Sequence, residues 1–346
     1  MKNSLTILVV ASALASTAHA QSSVTAYGKV DLGLVLDSGN AAGKSLRLSS
    51  GIGGGSRLGF RGEEDLVGAN KAAFQLETGF CADSAAASAF CTGSNNFMGR
   101  QAHLDLTTAY GKLVAGRQYS LGYLTATTLD PFSNGYAGQV ENTDGKGSYL
   151  VDTSGTRLNN SVAYTTPTFS GLNAAVEFAL GEATGNWRAN REVGATVGYA
   201  NGPIYAALSY YGVDNSNGRG QSRRTTTGGA TYDFGVVKLA GLVQKVGGEP
   251  TGGNRIDALN WMAGATVPVA GGRIMGSIVR HDDRTSLQKD ATQWGIGYIY
   301  PLSKRTSLYT AYAHIANRNH AGFLVGNATD TGTGTRAFNL GASHNF

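Results

Sequence analysis

Along most of this chain apolar and polar residues alternate one by one. Val24, Ala26, Gly28, Val30, Leu32, Leu34 and Leu36 are apolar or small, and Thr25, Tyr27, Lys29, Asp31 and Asp37 lie between them. Ile204, Ala206, Leu208 and Tyr210 alternate with Tyr205, Ala207, Ser209 and Tyr211. Leu259, Trp261, Ala263, Ala265 and Val267 alternate with Ala258, Asn260, Gly264 and Thr266, and Trp294, Ile296, Tyr298 and Tyr300 with Gln293 and two glycines. A period of two places successive side chains on opposite faces of a β-strand. Strands of this kind suit a barrel that shows lipid its apolar face and encloses its polar face. A lysine or arginine on the lipid face at mid-membrane costs about 2–4 kcal/mol, so basic residues inside these strands are expected to point into the lumen.

Short turn signals punctuate the alternation at Glu63–Gly68, Thr108–Gly111, Pro167–Gly171, Asn201-Gly202, Asp233–Gly235, Pro268–Gly272 and Pro301–Arg305. The later centres lie roughly 33 residues apart, room for two strands of about 10 residues, one longer loop and one tight turn. Seven turns join eight hairpins, which predicts a sixteen-stranded antiparallel transmembrane β-barrel. A period of this length also fits ankyrin or tetratricopeptide arrays. Those are helical, and these segments alternate at two and share no consensus.

Composition agrees. Charged residues are 15% of the chain, against roughly 25% in soluble domains, yet mean hydropathy is slightly negative. The first residues form a separate unit. Lys2, an apolar run Leu5–Leu14 and Ala18-His19-Ala20 have the order of a cleaved secretory leader. Residues 1–20 are therefore expected to be a signal peptide and 21–346 the barrel, exported from the cytoplasm and starting near Gln21. No later stretch approaches the run of about 20 apolar residues that a membrane helix needs. The net charge of +5 falls by one, to +4, when Lys2 leaves. Without a basic block it does not indicate nucleic-acid binding.

Three local features stand out. Cys81 and Cys91, in an alanine- and serine-rich stretch, read as a disulfide tying a surface loop of an exported protein; a free-thiol or metal role would need partners that are not nearby. Between the turns at Tyr110 and Phe169 about 25 residues exceed the regular spacing. This insertion, roughly Arg117 to Ser154, carries Asp130, Glu141, Asp144 and Asp152 among aromatic and aliphatic residues. Its apolar content argues for packing, and a large barrel offers the lumen as the place to pack. Third, the run Gly51–Gly55 lacks the Lys-Ser/Thr of a phosphate loop and reads as flexible backbone.

In its order of motifs the mature chain resembles the trimeric general porins of Gram-negative outer membranes, and most closely their neisserial and β-proteobacterial branch. The carriers are Val24-Thr25-Ala26-Tyr27-Gly28-Lys29-Val30-Asp31, Ser56-Arg57-Leu58-Gly59-Phe60-Arg61-Gly62-Glu63-Glu64-Asp65-Leu66, Arg100-Gln101-Ala102 and Gly116-Arg117-Gln118-Tyr119. Ser161-Val162-Ala163-Tyr164 and the closing Leu340-Gly341-Ala342-Ser343-His344-Asn345-Phe346 complete the set. The resemblance implies that the third extracellular loop folds into the lumen and sets acidic groups against a basic wall. The wall would comprise Arg57, Arg100 and Arg157, with Lys29 nearby and Arg61 on the same face as Arg57. The polar face Gln101, His103, Asp105 beside Arg100 reads as a subunit contact, and Arg157 could instead be a solvated loop residue. On the loop, Asp130-Pro131-Phe132-Ser133-Asn134-Gly135 departs from the family's Glu-bearing motif and leaves Asp130 as the acidic candidate. Few carboxylates against several cations would bias the pore toward anions.

The same resemblance implies a homotrimer, with Arg117 at the trimer contact. It also implies a C-terminal strand ending in Phe346 that the outer-membrane assembly machinery reads, and contact with outer-membrane lipids including lipopolysaccharide. The expected work is passive diffusion of small hydrophilic solutes and ions, with no cofactor, metal or catalytic residue. A sugar- or organic-anion-selective channel, or an adhesin, is the binding alternative; Tyr27, Tyr205 and Tyr211 face the lumen but are too scattered for an aromatic track. An outer-membrane protease or lipase would need a clustered constellation. His103, His281, His314, His320 and His344 are dispersed, and only His281-Asp282-Asp283 forms a cluster, at a loop mouth.

Overall fold

The computed structural model describes residues 23–85, 96–146, 148–153, 155–251 and 253–346. The proposed leader and Cys91, and with it the expected Cys81–Cys91 bridge, lie outside them; Cys81 itself is buried.

Every strand is antiparallel to its neighbours, and the first pairs with the last. β1 (Ser23–Asn40) is hydrogen-bonded to β17 (Arg336–Asn345), which closes the sheet into a barrel. Seventeen segments make sixteen crossings, because β2 (Gly43–Ser50) and β3 (Arg57–Asp65) are two halves of one broken strand. β2 pairs with the later half of β1 and β3 with its first half. The remaining strands pair in sequence. They are β4 (Lys71–Gly79), β5 (Gln101–Thr108), β6 (Gly111–Tyr119), β7 (Arg157–Thr165), β8 (Leu172–Ala179) and β9 (Glu192–Asn201), followed by β10 (Ile204–Asp214) and β11 (Gln221–Asp233). β12 (Lys238–Gly248), β13 (Ile256–Val269), β14 (Gly272–Asp283), β15 (Ala291–Pro301) and β16 (Thr306–Asn317) complete the wall.

All seven short turns read from the sequence fall between consecutive strands at the end of the barrel that holds Ser23 and Phe346. The longer connections lie at the opposite end, which is the extracellular end in barrels of this type. The alternation sorts the faces as expected. On β1, Val30, Leu34 and Leu36 are exposed on the outer surface, while Asp31, Val35 and Asp37 are buried inside. Leu58 and Phe60 on β3 and Trp294 and Ile296 on β15 likewise face out. Large apolar side chains on an outer surface are what lipid contact requires.

The apolar core sits inside the barrel. It is built from the loop between β6 and β7 packed on the inner face of β12–β16. This loop opens with the helix α1 (Leu121–Leu129). Ser120 caps it by accepting from the Tyr123 amide at 3.1 Å, and the Glu177 carboxylate on β8 accepts from the Leu121 amide at 3.0 Å. A hydroxyl and a carboxylate at the first turn satisfy free amides and complement the helix dipole. The helix stops at Leu129 because Asp130 precedes Pro131 and takes an extended conformation.

Beyond the helix the loop lies on wall positions without side chains. A Cβ on Gly264 would come within 2.5 Å of Pro131, and one on Gly295 within 2.8 Å of the Gly138 backbone. Phe132, Leu129, Val140, Leu150 and Val151 are fully buried there. The Asn142 amide donates to Gln293 of β15 at 2.6 Å. The loop between β6 and β7 thus packs on the inner face of the wall.

Candidate functional site: the channel waist

The break between β2 and β3 begins the site. The glycine run is not loose backbone, which corrects the sequence reading. Ile52 is fully buried, its carbonyl accepts from the Tyr136 amide at 2.7 Å, and the Gly53 amide donates to Asp31 at 3.2 Å. Small residues are needed because Tyr136 of the loop lies against Gly53, and a Cβ on Gly55 would meet the Arg100 guanidinium at 2.7 Å. Tertiary packing thus holds a segment whose composition alone suggests mobility.

After the break, the register of β3 turns Arg57 and Arg61 inward. Across the wall, Glu77 of β4 is buried and gathers the basic groups. Its carboxylate accepts from Arg100 Nε at 2.8 Å and from the Tyr27 hydroxyl at 3.0 Å, and it lies 3.8 Å from Arg57 Nε. Arg100, in the connection just before β5, is itself buried. Tyr119, at the end of β6, accepts from both Arg100 Nη2 and Arg157 Nη2 at 2.9 Å. The Arg157 guanidinium lies 4.5 Å from the centre of the same ring. Arg157 at the start of β7 is therefore held in the wall rather than solvated in a loop.

A cavity of about 520 Å³ opens here. Arg57, Arg100, Arg117 and Arg157 line it, opposite Glu141 of the long loop and Asp330 of the loop between β16 and β17. A second space of about 430 Å³ lies toward the turn end and is lined by Tyr27, Arg61, Glu77 and Gln101. Arg57 and Tyr119 border both and so mark the waist between them. Lys29 does not line either space; its ammonium is paired with Asp31 at 3.2 Å, and Asp31 also accepts from the Tyr309 hydroxyl at 2.8 Å. Arg61 stacks over the Tyr27 ring at 5.5 Å below the waist.

Several expectations need correction. Asp130 is only 3% exposed and does not line the cavity. Its carboxylate accepts from the backbone amides of Phe132, Asn134 and Val140, at 3.0, 2.9 and 3.2 Å, and so organises the turn of its own loop. Burial pushes its pKa up to about 6 against the lowering effect of those amides. The loop's acidic group at the cavity is instead Glu141, which accepts from Asn134 and Thr153. Burial raises its pKa too, and the two hydrogen bonds oppose that.

The face Gln101, His103, Asp105 is not an outer subunit contact. Gln101 pairs with Glu77 and His103 with Gln75 across β4, so these residues point into the lumen, while Leu104 and Leu106 are exposed on the outside. Arg117, expected at a subunit contact, sits where the β6–β7 register shifts. It donates to the Gly99 carbonyl at 2.8 Å and to Asn159 Oδ1, and it borders the cavity. The His281 ring lies tilted against Phe323 with centroids 5.0 Å apart, and Asp283 accepts from backbone amides of its own loop, so the two are not arranged as an acid–base pair.

Three participants escaped the sequence reading. Glu77 stands in the inward register of β4 with no motif around it; Tyr119 closes the run Gly116-Arg117-Gln118-Tyr119 but shares its alternation face with the exposed Leu113, and it reaches the lumen only after the shift in the β6–β7 register. The loop between β16 and β17 also enters the barrel. Gln139 donates to the Asn327 carbonyl at 2.9 Å, the Gly326 amide donates to Asn142 at 2.9 Å, and Asp330 is tied to Arg47. A signal that the wall is covered, there by the loop between β6 and β7, existed in the inward residues of β15 and β16. Gly295, Gly297, Ala311 and Ala313 are small and apolar where a water-filled lumen would favour polar groups.

A closed sixteen-crossing barrel narrowed by an inward loop and lined by arginines has the architecture of a channel. A family profile described as Gram-negative porin matches residues 4–320. The chain belongs to the Gram-negative porin family. Outer membrane porin protein 32 of Delftia acidovorans is 36% identical over 337 residues, which cover 92% of this chain and 91% of that one. Major outer membrane protein P.IB of Neisseria meningitidis serogroup B is 27% identical and covers 89% of this chain and 91% of its own. Among solved structures, an anion-selective porin from Comamonas acidovorans superposes with a TM-score of 0.79 at 30% identity, over 94% of this chain and all 100% of that one. This porin is a channel of the Gram-negative outer membrane for small hydrophilic solutes.

Proposed function

We propose that this porin conducts small hydrophilic solutes with a mild preference for anions, set at the waist by Arg57, Arg100 and Arg157. The observation that carries the reading is the charge around the cavity, four arginines against the two carboxylates Glu141 and Asp330. Glu141 is biased toward its neutral form by burial, and Asp330 is already paired with Arg47. A cleft with low-dielectric walls and one prevailing sign of charge concentrates ions of the opposite sign. The similarity to an anion-selective porin adds support.

In planar bilayers with a KCl gradient, the reversal potential should favour chloride, and a cation-selective result would sink the reading. Arg57→Gln should move the potential toward cations without closing the channel. Liposome swelling with neutral sugars of rising size should show a smooth cut-off, whereas saturation would mean a substrate-selective channel.

The same reading includes a homotrimer, a leader over residues 1–20, and a Cys81–Cys91 bridge. It also includes lipopolysaccharide around the apolar outer belt and recognition of the strand ending at Phe346 by the assembly machinery. The Phe346 ring lies over Gly28, and its backbone is bonded in both directions to Gly28 at 3.0 Å, so the last residue is tied into the barrel seam.

A further inference from the structure

We propose that Tyr119 is the positioning residue of the waist: its hydroxyl holds Arg100 and Arg157 at one point of the wall and directs its own proton into the channel. The inference rests on the anion reading above and assigns its strength to a neutral side chain.

Two guanidinium nitrogens, Arg100 Nη2 and Arg157 Nη2, donate to the same phenol oxygen at 2.9 Å each. They therefore lie within twice that distance of one another. Like charges so close, on groups that are mostly out of solvent, repel. A shared acceptor offsets the repulsion, since hydrogen bonds from charged donors are the stronger kind. Glu77 performs this service for Arg100 but makes no contact with Arg157 among the described residues. Among the described residues, Tyr119 is the one side chain of the cluster hydrogen-bonded to the Arg157 guanidinium.

With both phenol lone pairs accepting, the Tyr119 O–H can act only as a donor. Among the described residues no acceptor takes it, and Tyr119 borders the spaces on both sides of the waist. Its proton is thus available to a passing anion, beside the guanidinium protons of Arg57, Arg100 and Arg157. The ring is fixed from behind by Tyr123 of α1, stacked at 5.0 Å with the planes 10° apart. The inward loop and the basic wall therefore meet at this residue.

The test is a double-mutant cycle in planar bilayers using wild type, Tyr119→Phe, Arg157→Gln and the double variant. Phe keeps the ring, the stack on Tyr123 and the volume, and removes only the hydroxyl. The chloride-over-potassium permeability ratio should fall by about twofold or more in Tyr119→Phe, as the two cations part and a donor is lost. In the Arg157→Gln background the same change should have a much smaller effect, because the pair is already broken. The sugar cut-off in liposome swelling should stay as in wild type.

An unchanged permeability ratio overturns the proposal. So does an equal fall in both backgrounds, or a fall accompanied by a wider sugar cut-off, which would mean lost packing. A wild-type channel with no anion preference overturns the underlying reading instead. An anion-selective wild type with an unaltered Tyr119→Phe variant overturns the Tyr119 assignment alone.

Discussion

At the scale of single residues, the waist is governed by which carboxylates remain available to oppose the arginines. Asp130 is consumed by three backbone amides, Asp31 by Lys29 and Tyr309, and Glu77 by Arg100 and Tyr27. Glu141 is the loop carboxylate that borders the cavity, and its pKa is raised by burial. It therefore takes up its proton at a higher pH than a free glutamate does, and the net positive field grows on acidification. Anion selectivity should increase as the pH falls through that raised pKa. Glu141→Gln should flatten this dependence on pH, read from reversal potentials at a series of pH values. Arg57 was legible in the sequence because Leu58 and Phe60 define its face. Arg100 came from the resemblance and not from the alternation, because it precedes its strand and reaches the cluster through Glu77, a partner 23 positions away in sequence.

At the scale of elements, the loop between β6 and β7 is held by close contact with bare wall. Gly295 leaves no space between β15 and the Gly138 backbone. A leucine there must displace the loop or strain the wall, a change that costs about 1–3 kcal/mol in a packed interior. Because the barrel is closed by β-ladders on every side, the loop should yield first. Gly295→Leu should therefore give a channel with larger single-channel conductance and a larger sugar cut-off in liposome swelling. Retention of the wild-type cut-off would show that the wall can absorb the side chain. The loop's length and apolar content announced that it packs, but the helix within it and the glycines beneath it emerge only from the assembled barrel.

At the scale of the whole molecule, the arginines act through a field that spans a water-filled lumen. Screening falls within about 10 Å at 0.1 M salt and about 3 Å at 1 M. Arg57 is partly exposed to the lumen, so its reach should shorten with salt, whereas Arg100 is shielded by burial. The chloride preference should be largest at low ionic strength and decline toward high salt without vanishing, as measured by reversal potentials at a fixed gradient ratio. A preference independent of salt would place selectivity in pore width rather than charge.

The chain by itself determined the barrel. Alternation at a period of two chose the two faces of each strand, and seven turn signals set the number of crossings; both are local properties, readable without knowing what lies next to what. It also determined which strand residues face inward, and hence that Arg57 and Arg61 reach the lumen. Tertiary structure decided the rest. Whether a carboxylate opposes the pore arginines depends on its neighbours, and Asp130 and Glu141 exchanged roles because only the folded loop shows which of them the backbone amides take. The glycine run after β2 is packed in place because Tyr136 and Arg100 lie against it from distant parts of the chain. Contacts across such separations leave no periodic trace in the sequence, so the barrel was legible there and the detailed chemistry of its waist was not.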